Sequence, residues 1–535
     1  MSRVILKNIS YKVPDGTKIF GNLSFSFNSE LTGLVGRNGI GKSTLAKIIN
    51  LDIIPDSGTV EISGKVKYQP QILDAMREKT VSDLFPIKEK YDALKRLESG
   101  KGNQDDLVIL DDDWELEERI EKVRQEMNIS YIDLTRHYDS LSGGEKVRCM
   151  FAAILLDNPD FIILDEPTNH LDDEGRSIVY DFVKNWDKGM IVVSHDRSLL
   201  RLMNSIAELS SAGLRSYGGN YDFYLQQKIL EDAAVENEIK NINSELKKAV
   251  KNKNEVIQRQ QKRNISGEKK AVKSNLPKVM AHLLKGSGEK TLKKLTDIHT
   301  EKIDNIESKL SDAKSKQRAD RNIKLDLEQG TQIKRSNLIT AANINFSYEP
   351  NKFIWKEDLS FTLYGGERAA LKGKNGSGKT TLLKMILGDL KPAKGEMKVR
   401  TERIGMLDQE LTMLDGELSI LENIKAASEG KMPEHQLRIR LGRFLFYKDD
   451  VFKKVNVLSG GERMRAGLAC LLSSCKVPDL IILDEPTNNL DLESIEELTN
   501  GLNEYTGAIL AVSHDADFLE DINVSREIVL DEQTG

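Results

Sequence analysis

Cysteine is nearly missing from this chain: Cys149, Cys470 and Cys475 are the three residues of that type in 535 positions. None lies in a C-x-x-C pair or at metal-ligand spacing, which excludes a disulfide framework and a thiolate metal site and leaves reduced thiols. Long apolar runs are also missing. No stretch approaches the ~18 residues needed to span a bilayer. The opening MSRVILKNISYKV lacks the charged-then-apolar order of a secretory leader. Together these absences predict a soluble protein of the cytoplasm without a membrane domain. Glycine and proline are absent from residues 221–266 and again from 289–329. Such runs, rich in Lys, Glu, Gln and Asn, predict two long helices, with Gly267, Pro277, Gly286 and Gly288 between them as turn and tip. With 39% hydrophobic and 30% charged residues, the remainder reads as globular, and the length suggests several domains of ~100–200 residues.

What is present is present twice. GRNGIGKST at 36–44 returns as GKNGSGKTT at 373–381, and LSGGE at 141–145 returns at 458–462. FIILDEPTNHLD at 161–172 returns as LIILDEPTNNLD at 480–491, and VSHD at 193–196 returns at 512–515. Glu166 and His195 are 29 positions apart, as are Glu485 and His514. Lys42 precedes Leu141 by 99 positions but Lys379 precedes Leu458 by 79, so the first copy carries about 20 extra residues, placed within 95–115. A period this long means domain duplication rather than a solenoid. In each half, short β-branched runs alternate with helical patterns, which predicts an α/β fold with a mostly parallel sheet covered on both faces.

Each half also carries a phosphate loop. The glycines of G-x-x-x-x-G-K-[ST] let backbone N–H groups curl around a phosphate chain at a helix N-terminus, where the dipole favours anions. The candidates are Gly36, Asn38, Gly39, Gly41, Lys42, Ser43 and Thr44, and Gly373, Asn375, Gly376, Gly378, Lys379, Thr380 and Thr381. Lys42 and Lys379 would reach the β- and γ-phosphates of ATP, and Ser43 and Thr380 would offer hydroxyls to Mg²⁺. Asp165-Glu166 and Asp484-Glu485 each close an apolar strand. Acids there are costly unless a cation meets them, so Asp165 and Asp484 are read as Mg²⁺ ligands. Glu166 and Glu485 are read as the groups that orient or deprotonate the attacking water. His195 and His514, just past another strand, are candidates for contact with the γ-phosphate.

LSGGE carries a resemblance to the ATP-binding cassette family, whose signature it matches in both halves. The resemblance implies two P-loop ATPase domains packed head to tail, each ATP held by one half's phosphate loop and the other half's signature. Site one would then pair Lys42, Asp165, Glu166 and His195 with Ser459, Gly460 and Gly461. Site two would pair Lys379, Asp484, Glu485 and His514 with Ser142, Gly143 and Gly144. The family's lid glutamine, which also reaches Mg²⁺, matches Gln71 and Gln409. Its adenine-stacking aromatic matches Tyr348 in the second half, whereas the first half has Val13 there with Tyr11 nearby.

Between the halves, residues 246–295 hold fifteen Lys or Arg against three Glu, a net of +12, in a chain whose overall charge is −6. A lysine-rich helix is ordinarily a solvated face, but a basic segment on an otherwise acidic chain is the electrostatic footprint of nucleic-acid binding. Lys262, Arg263, Lys269, Lys270, Lys273, Lys278 and Lys285 are the candidate RNA contacts. Within LPKVMAHLLKGSGEKTLKKL (276–295), an apolar stripe at helical spacing is broken by Gly-Ser-Gly. Two cassettes, no membrane segment and a long charged linker resemble the ABC-F family, as does YGGNYDFYLQQK at 217–228. That resemblance implies action on the ribosome, with cassettes at the E site and the linker reaching toward the peptidyl-transferase centre, beside large-subunit RNA and peptidyl-site tRNA. It leaves open a translation factor or a protein that protects ribosomes from antibiotics. The domains expected are 1–222, 223–337 and 338–535, in a monomeric chain whose cassettes dimerise internally. The alternatives are a soluble ATPase subunit of a transporter and a DNA-repair or chromosome-associated ATPase, although the latter place their coiled coils inside a cassette.

Overall fold

The computed structural model describes residues 2–70, 79–273, 278–316, 336–350, 352–474 and 477–530. Two compact units result: Met1–Asp222 together with Asn322–Gly535, and Phe223–Arg321.

In the first half the buried runs pair as a six-stranded sheet. Its order is Val66–Gln69, Phe161–Asp165, Gly189–Val193, Leu31–Val35, Ser205–Ser210 and Gly213–Gly218. Every pair is parallel except the last. The second half repeats the plan with five parallel strands, ordered Ile404–Leu407, Leu480–Asp484, Ala508–Val512, Arg368–Lys372 and Arg526–Val529. The expected parallel sheets are thus present. Each half also adds a three-stranded antiparallel sheet absent from the sequence expectation: Lys18–Phe27, Arg3–Lys12, Ser57–Ser63, and Leu359–Tyr364, Asn337–Asn345, Lys394–Val399. Those strands mix buried and exposed positions, with register shifts that interrupt strict alternation. Val4, Leu6 and Ile9 point into one core with Phe20, Leu34, Leu45, Ile48, Phe161 and Ile163. The antiparallel sheet therefore clamps the helix that follows the phosphate loop against the parallel sheet.

The extra residues of the first half fall between Thr80 and the signature, where the Gln104–Leu110 helix has no counterpart among the described helices of the second half. Asn103 starts it with a capping box, its side chain accepting from the Asp106 amide at 2.9 Å.

The second unit consists of the helices Tyr221–Lys273 and Lys278–Lys316. At ~1.5 Å per residue the first is about 80 Å long. Lys253 Nζ donates to Thr300 Oγ1 at 2.9 Å, which ties the two helices together. The glycines behave differently from expectation. Gly267 lies inside the first helix and Gly286 and Gly288 inside the second, so the turn does not fall at these glycines. A helical glycine costs ~1 kcal/mol relative to alanine, which the surrounding Glu, Lys, Ala and Leu offset. Proline is the stronger punctuation, and Pro277 immediately precedes the second helix. Residues 274–277 and 317–335 lie outside the described residues, as does Cys475.

Candidate nucleotide site

Both phosphate loops leave the C-terminal end of a buried parallel strand and enter a helix, Lys42–Ile49 or Lys379–Leu387. Open parallel sheets place ligands at this edge. Gly41 and Gly378 cap these helices in the left-handed region, at φ 104° and 89°. A Cβ at Gly41 would meet the Ile19 side chain at 2.5 Å, and one at Gly378 would meet Ile354 at 2.8 Å. Only glycine satisfies both the angle and the space. Lys42 is buried and its Nζ donates to the carbonyls of Gly36 at 2.7 Å and Arg37 at 3.2 Å, while Lys379 donates to those of Gly373 and Lys374. Burial lowers the pKa of both lysines, Lys42 against the pull of Glu166 and Lys379 against that of Glu485.

Beside each lysine stands a carboxylate pair. Asp165 is buried; its Oδ2 accepts the Tyr68 hydroxyl at 2.9 Å, while Oδ1 has no hydrogen-bond partner. An orphaned carboxylate oxygen on a residue that shares its cavity wall with Ser43 suits a hard cation that takes oxygen ligands. Asp165 and Ser43 therefore fit Mg²⁺. Asp484 is raised in pKa by burial and by Asp408. Glu166 and Glu485 both adopt left-handed backbone, φ 47° and 48°, their amides donating to the carbonyls of Val193 at 2.8 Å and Val512 at 2.9 Å. Residues other than glycine are held in that region at functional sites, where surrounding contacts enforce it. Burial raises the pKa of both glutamates, with Lys42 opposing the effect at Glu166 and His514 opposing it at Glu485.

The histidines differ. His195 is buried, neither ring nitrogen has a hydrogen bond, and its Nε2 lies 3.5 Å from Glu166 Oε1. Burial and the nearby Lys42 hold its pKa down at about 3, so the ring is neutral. His514 has the same 3.5 Å approach to Glu485, but its Nδ1 meets Asp173 Oδ1 of the other half at 3.0 Å.

Lys42, Ser43, Thr44, Asp165, Glu166 and His195 line a cavity of about 400 Å³ with Asn38, Gly39 and Gly41. The second half contributes Thr487, Asn488, Asn489, Leu490 and Ile495 to its wall. Two reciprocal sets of hydrogen bonds and ion pairs carry this crossing. The Asn38 amide donates to Asp491 Oδ2 at 2.8 Å, its Nδ2 to the Asn489 carbonyl at 2.7 Å, and Arg37 pairs with Glu493 at 2.7 Å. In mirror fashion, the Asn375 amide donates to Asp172 Oδ2 at 3.2 Å, its Nδ2 to the His170 carbonyl at 3.5 Å, and Lys374 pairs with Glu174 at 2.8 Å. Asp172 and Asp491 also cap helices, accepting from the amides of Gly175 and Ser494. Sequence reasoning missed both aspartates as site residues. The available signal was their recurrence at the end of DEPTNHLD and DEPTNNLD. A one-sided latch adds Arg197–Asp521 and Arg201–Asp517 across the same boundary.

The signature residues sit at helix starts. Ser142 caps Gly143–Asp157 and Ser459 caps Gly460–Ser473, each in a capping box closed by Glu145 or Glu462. A Cβ on Gly460 would come within 3.3 Å of the Asn489 carbonyl, so the signature abuts the crossing turn. Tyr348 is exposed, with its hydroxyl 3.0 Å from Thr381 Oγ1 and its ring edge-on to Phe346. Gln409 is exposed just beyond the Ile404–Leu407 strand, and Gln71 lies outside the described residues. Lys262 and Arg263 are exposed on the first long helix. The backbones of Lys269, Lys270, Lys273, Lys278 and Lys285 are helical, and their side chains lie outside the described part.

The family of sequences described as ABC transporter matches twice, at residues 20–169 and 356–488. ABC transporter F family member 5 of Arabidopsis thaliana is 31% identical over 565 residues, covering 99% of this chain and 73% of that protein. The chain belongs to the F family of ATP-binding cassette proteins. Other relatives of this F-family protein include the putative ATP-binding protein YdiF of Bacillus subtilis, 32% identical over 92% of this chain and 75% of that one. The ATP-binding protein Uup of Escherichia coli is 31% identical over 92% of the chain and 75% of its own length. Among solved structures, an archaeal ribosome recycling factor crystallised with a ribosomal stalk protein superposes with a TM-score of 0.57 at 20% identity, covering 98% of this chain and 87% of that one. At that identity the likeness is one of fold. Cassette domains of this family bind and hydrolyse ATP. Among the described residues of this one, no helix is long and apolar enough to cross a membrane.

Proposed function

We propose that this F-family protein turns over Mg·ATP at two composite sites and applies that cycle to the ribosome. The carrying observation is the reciprocal pair Asn38–Asp491 and Asn375–Asp172, which ties each phosphate loop to the other cassette. On this reading, Lys42, Ser43 and Thr44 hold one nucleotide with Ser459, Gly460 and Gly461, and Lys379, Thr380 and Thr381 hold the other with Ser142, Gly143 and Gly144. Asp165 and Asp484, with Gln71 and Gln409, would hold Mg²⁺, which neutralises charge on the phosphates when bound. Glu166 and Glu485, held facing the phosphate loops by their left-handed backbone, orient water and accept its proton. Tyr348 offers a ring to adenine in the second site. In the first, Asn8 and Asn343, both left-handed and each facing a glycine (Gly58, Gly395), align the two halves and put Val13 at the place of Tyr348.

The linker supplies the partner. A +12 stretch on a helical pair, in a chain otherwise acidic, suits phosphate-rich RNA. Family membership and the fold shared with an archaeal ribosome recycling factor favour ribosomal RNA. The reading therefore gives three segments, 1–222, 223–337 and 338–535, acting as a monomer in the cytoplasm. Its cassettes lie at the ribosomal E site and its linker, through Lys262, Arg263, Lys269, Lys270, Lys273, Lys278 and Lys285, reaches large-subunit RNA and peptidyl-site tRNA near the peptidyl-transferase centre. The role is that of a translation factor or of an antibiotic-protection protein, a choice made by the linker tip. Sedimentation of lysate through sucrose, with Glu166→Gln and Glu485→Gln combined, tests it. Retention of the variant with 50S or 70S particles is expected, and fractionation of the parent with membranes would replace ribosome action by service to a transporter.

A further inference from the structure

Two consecutive acids of the first cassette face the second nucleotide site. Asp172 accepts the Asn375 amide, and Asp173, the next residue, meets His514 Nδ1 at 3.0 Å. A carboxylate accepts only, so Nδ1 carries a hydrogen and the imidazole is held in one orientation. Its Nε2 is then left on the side of Glu485 Oε1 and Lys379 Nζ, 3.5 Å from each. Asp173 is held below the usual carboxylate range by this hydrogen bond.

The reverse arrangement is missing from the first site. Asp491 accepts the Asn38 amide as its twin does, but the residue that follows it is Leu492, which has no acceptor. His195 accordingly has Nδ1 buried without a partner. The inequality recurs at the metal acids. Tyr68 holds Asp165 in the first site, whereas the strand position matching Tyr68, opposite Ile482, is Met406 in the second.

We propose that Asp173 is a positioning residue for hydrolysis at the Lys379 site, acting across the cassette boundary through His514, and that the two ATP sites are thereby unequal by construction. Aspartate in place of leucine at this one pseudo-symmetric position gives the second site an orienting partner that the first lacks. The proposal rests on the two-site reading above.

The test isolates each site by silencing the other. With Glu166→Gln present, turnover reports the second site; with Glu485→Gln present, it reports the first. Asp173→Leu is expected to lower kcat about tenfold in the Glu166→Gln background with KM little changed, a loss within the range for removing an orienting partner from a functional histidine. Asp173→Glu should recover part of it. Histidine ¹⁵N NMR of the full chain without nucleotide gives a readout independent of hydrolysis: the parent should show an Nδ1-protonated ring at His514, and Asp173→Leu should abolish that signature. Equal losses in both backgrounds, or an unaltered His514 spectrum, would overturn the proposal. Should the two glutamine backgrounds leave turnover at the parental rate, the assignment of the glutamates fails, while the spectrum still judges Asp173.

Discussion

Asp491 accepts the main-chain amide of Asn38 at 2.8 Å while capping its own helix through the Ser494 amide. One carboxylate thus serves helix stability and the cassette boundary at once. Replacing Asp491 with Ala should cost about 1 kcal/mol from removal of the cap alone and should also reduce turnover at the Lys42 site. Asp491→Asn keeps an acceptor oxygen and should fall between parent and Ala. Melting temperature and ATP turnover, read together, test this ordering; an Ala variant matching the parent in both refutes it.

Glu166→Gln combined with Glu485→Gln should retain ATP binding and lower turnover at least ~100-fold, the lower end of what general-base catalysis contributes. Single-turnover measurement separates this from slow product release. Turnover at the parental rate removes these residues from the mechanism.

Ser142→Arg should impair the site built on Lys379, and Ser459→Arg the site built on Lys42, because a bulky cation would intrude where the γ-phosphate lies in the proposed composite site. Site-isolated turnover in the single glutamine backgrounds reads the effect. Impairment of the same cassette's own site instead would reverse the pairing.

Burial raises the pKa of Glu166 above its unfolded value, so the folded state holds that proton longer. The resulting stabilisation is complete below the ordinary 4.5 and is lost as pH rises through about 8. Glu166→Gln cannot ionise and escapes the loss. Without nucleotide or Mg²⁺, the melting temperatures of parent and variant should nearly coincide near pH 4.5 and separate in the variant's favour toward pH 8. A gap of opposite sign contradicts the dominance of burial over attraction to Lys42.

Reversing Lys269, Lys270, Lys273 and Lys278 to Glu should weaken binding to large ribosomal subunits. Its salt dependence should flatten by about one log–log unit for each RNA phosphate that the linker no longer engages. ATP turnover without ribosomes should stay near the parental value. Normal ribosome binding by this variant reduces the hairpin to a spacer.

Legibility in the sequence followed the range of the interactions. The phosphate-loop residues Asn38, Gly39, Gly41, Lys42 and Ser43, and Asp165 with Glu166, belong to local patterns, and the structure brings them to one cavity wall. The hydrogen bond from Asn38 to Asp491 spans 453 positions. No window on the chain reveals such a pair, and the aspartate also caps its own helix. The antiparallel strands escaped because their alternation is interrupted by bulges, as between Leu6 and Ile9. Gly267, Gly286 and Gly288 misled in the opposite sense, since a modest local preference for a break yielded to long helix-forming surroundings. The inequality of Asp173 and Leu492 is plain in the aligned halves, yet only the meeting of Asp173 with His514 gives it meaning.

Left-handed backbone at Glu166 and Glu485 has an evolutionary corollary. A side chain in that conformation costs roughly 1–2 kcal/mol that glycine avoids, and glycine would also relieve the burial of an acid. Selection for thermal robustness alone, in a library that never asks for hydrolysis, should therefore enrich glycine at both positions. The survivors would be sturdier proteins that still engage ATP and can no longer let go of it by chemistry.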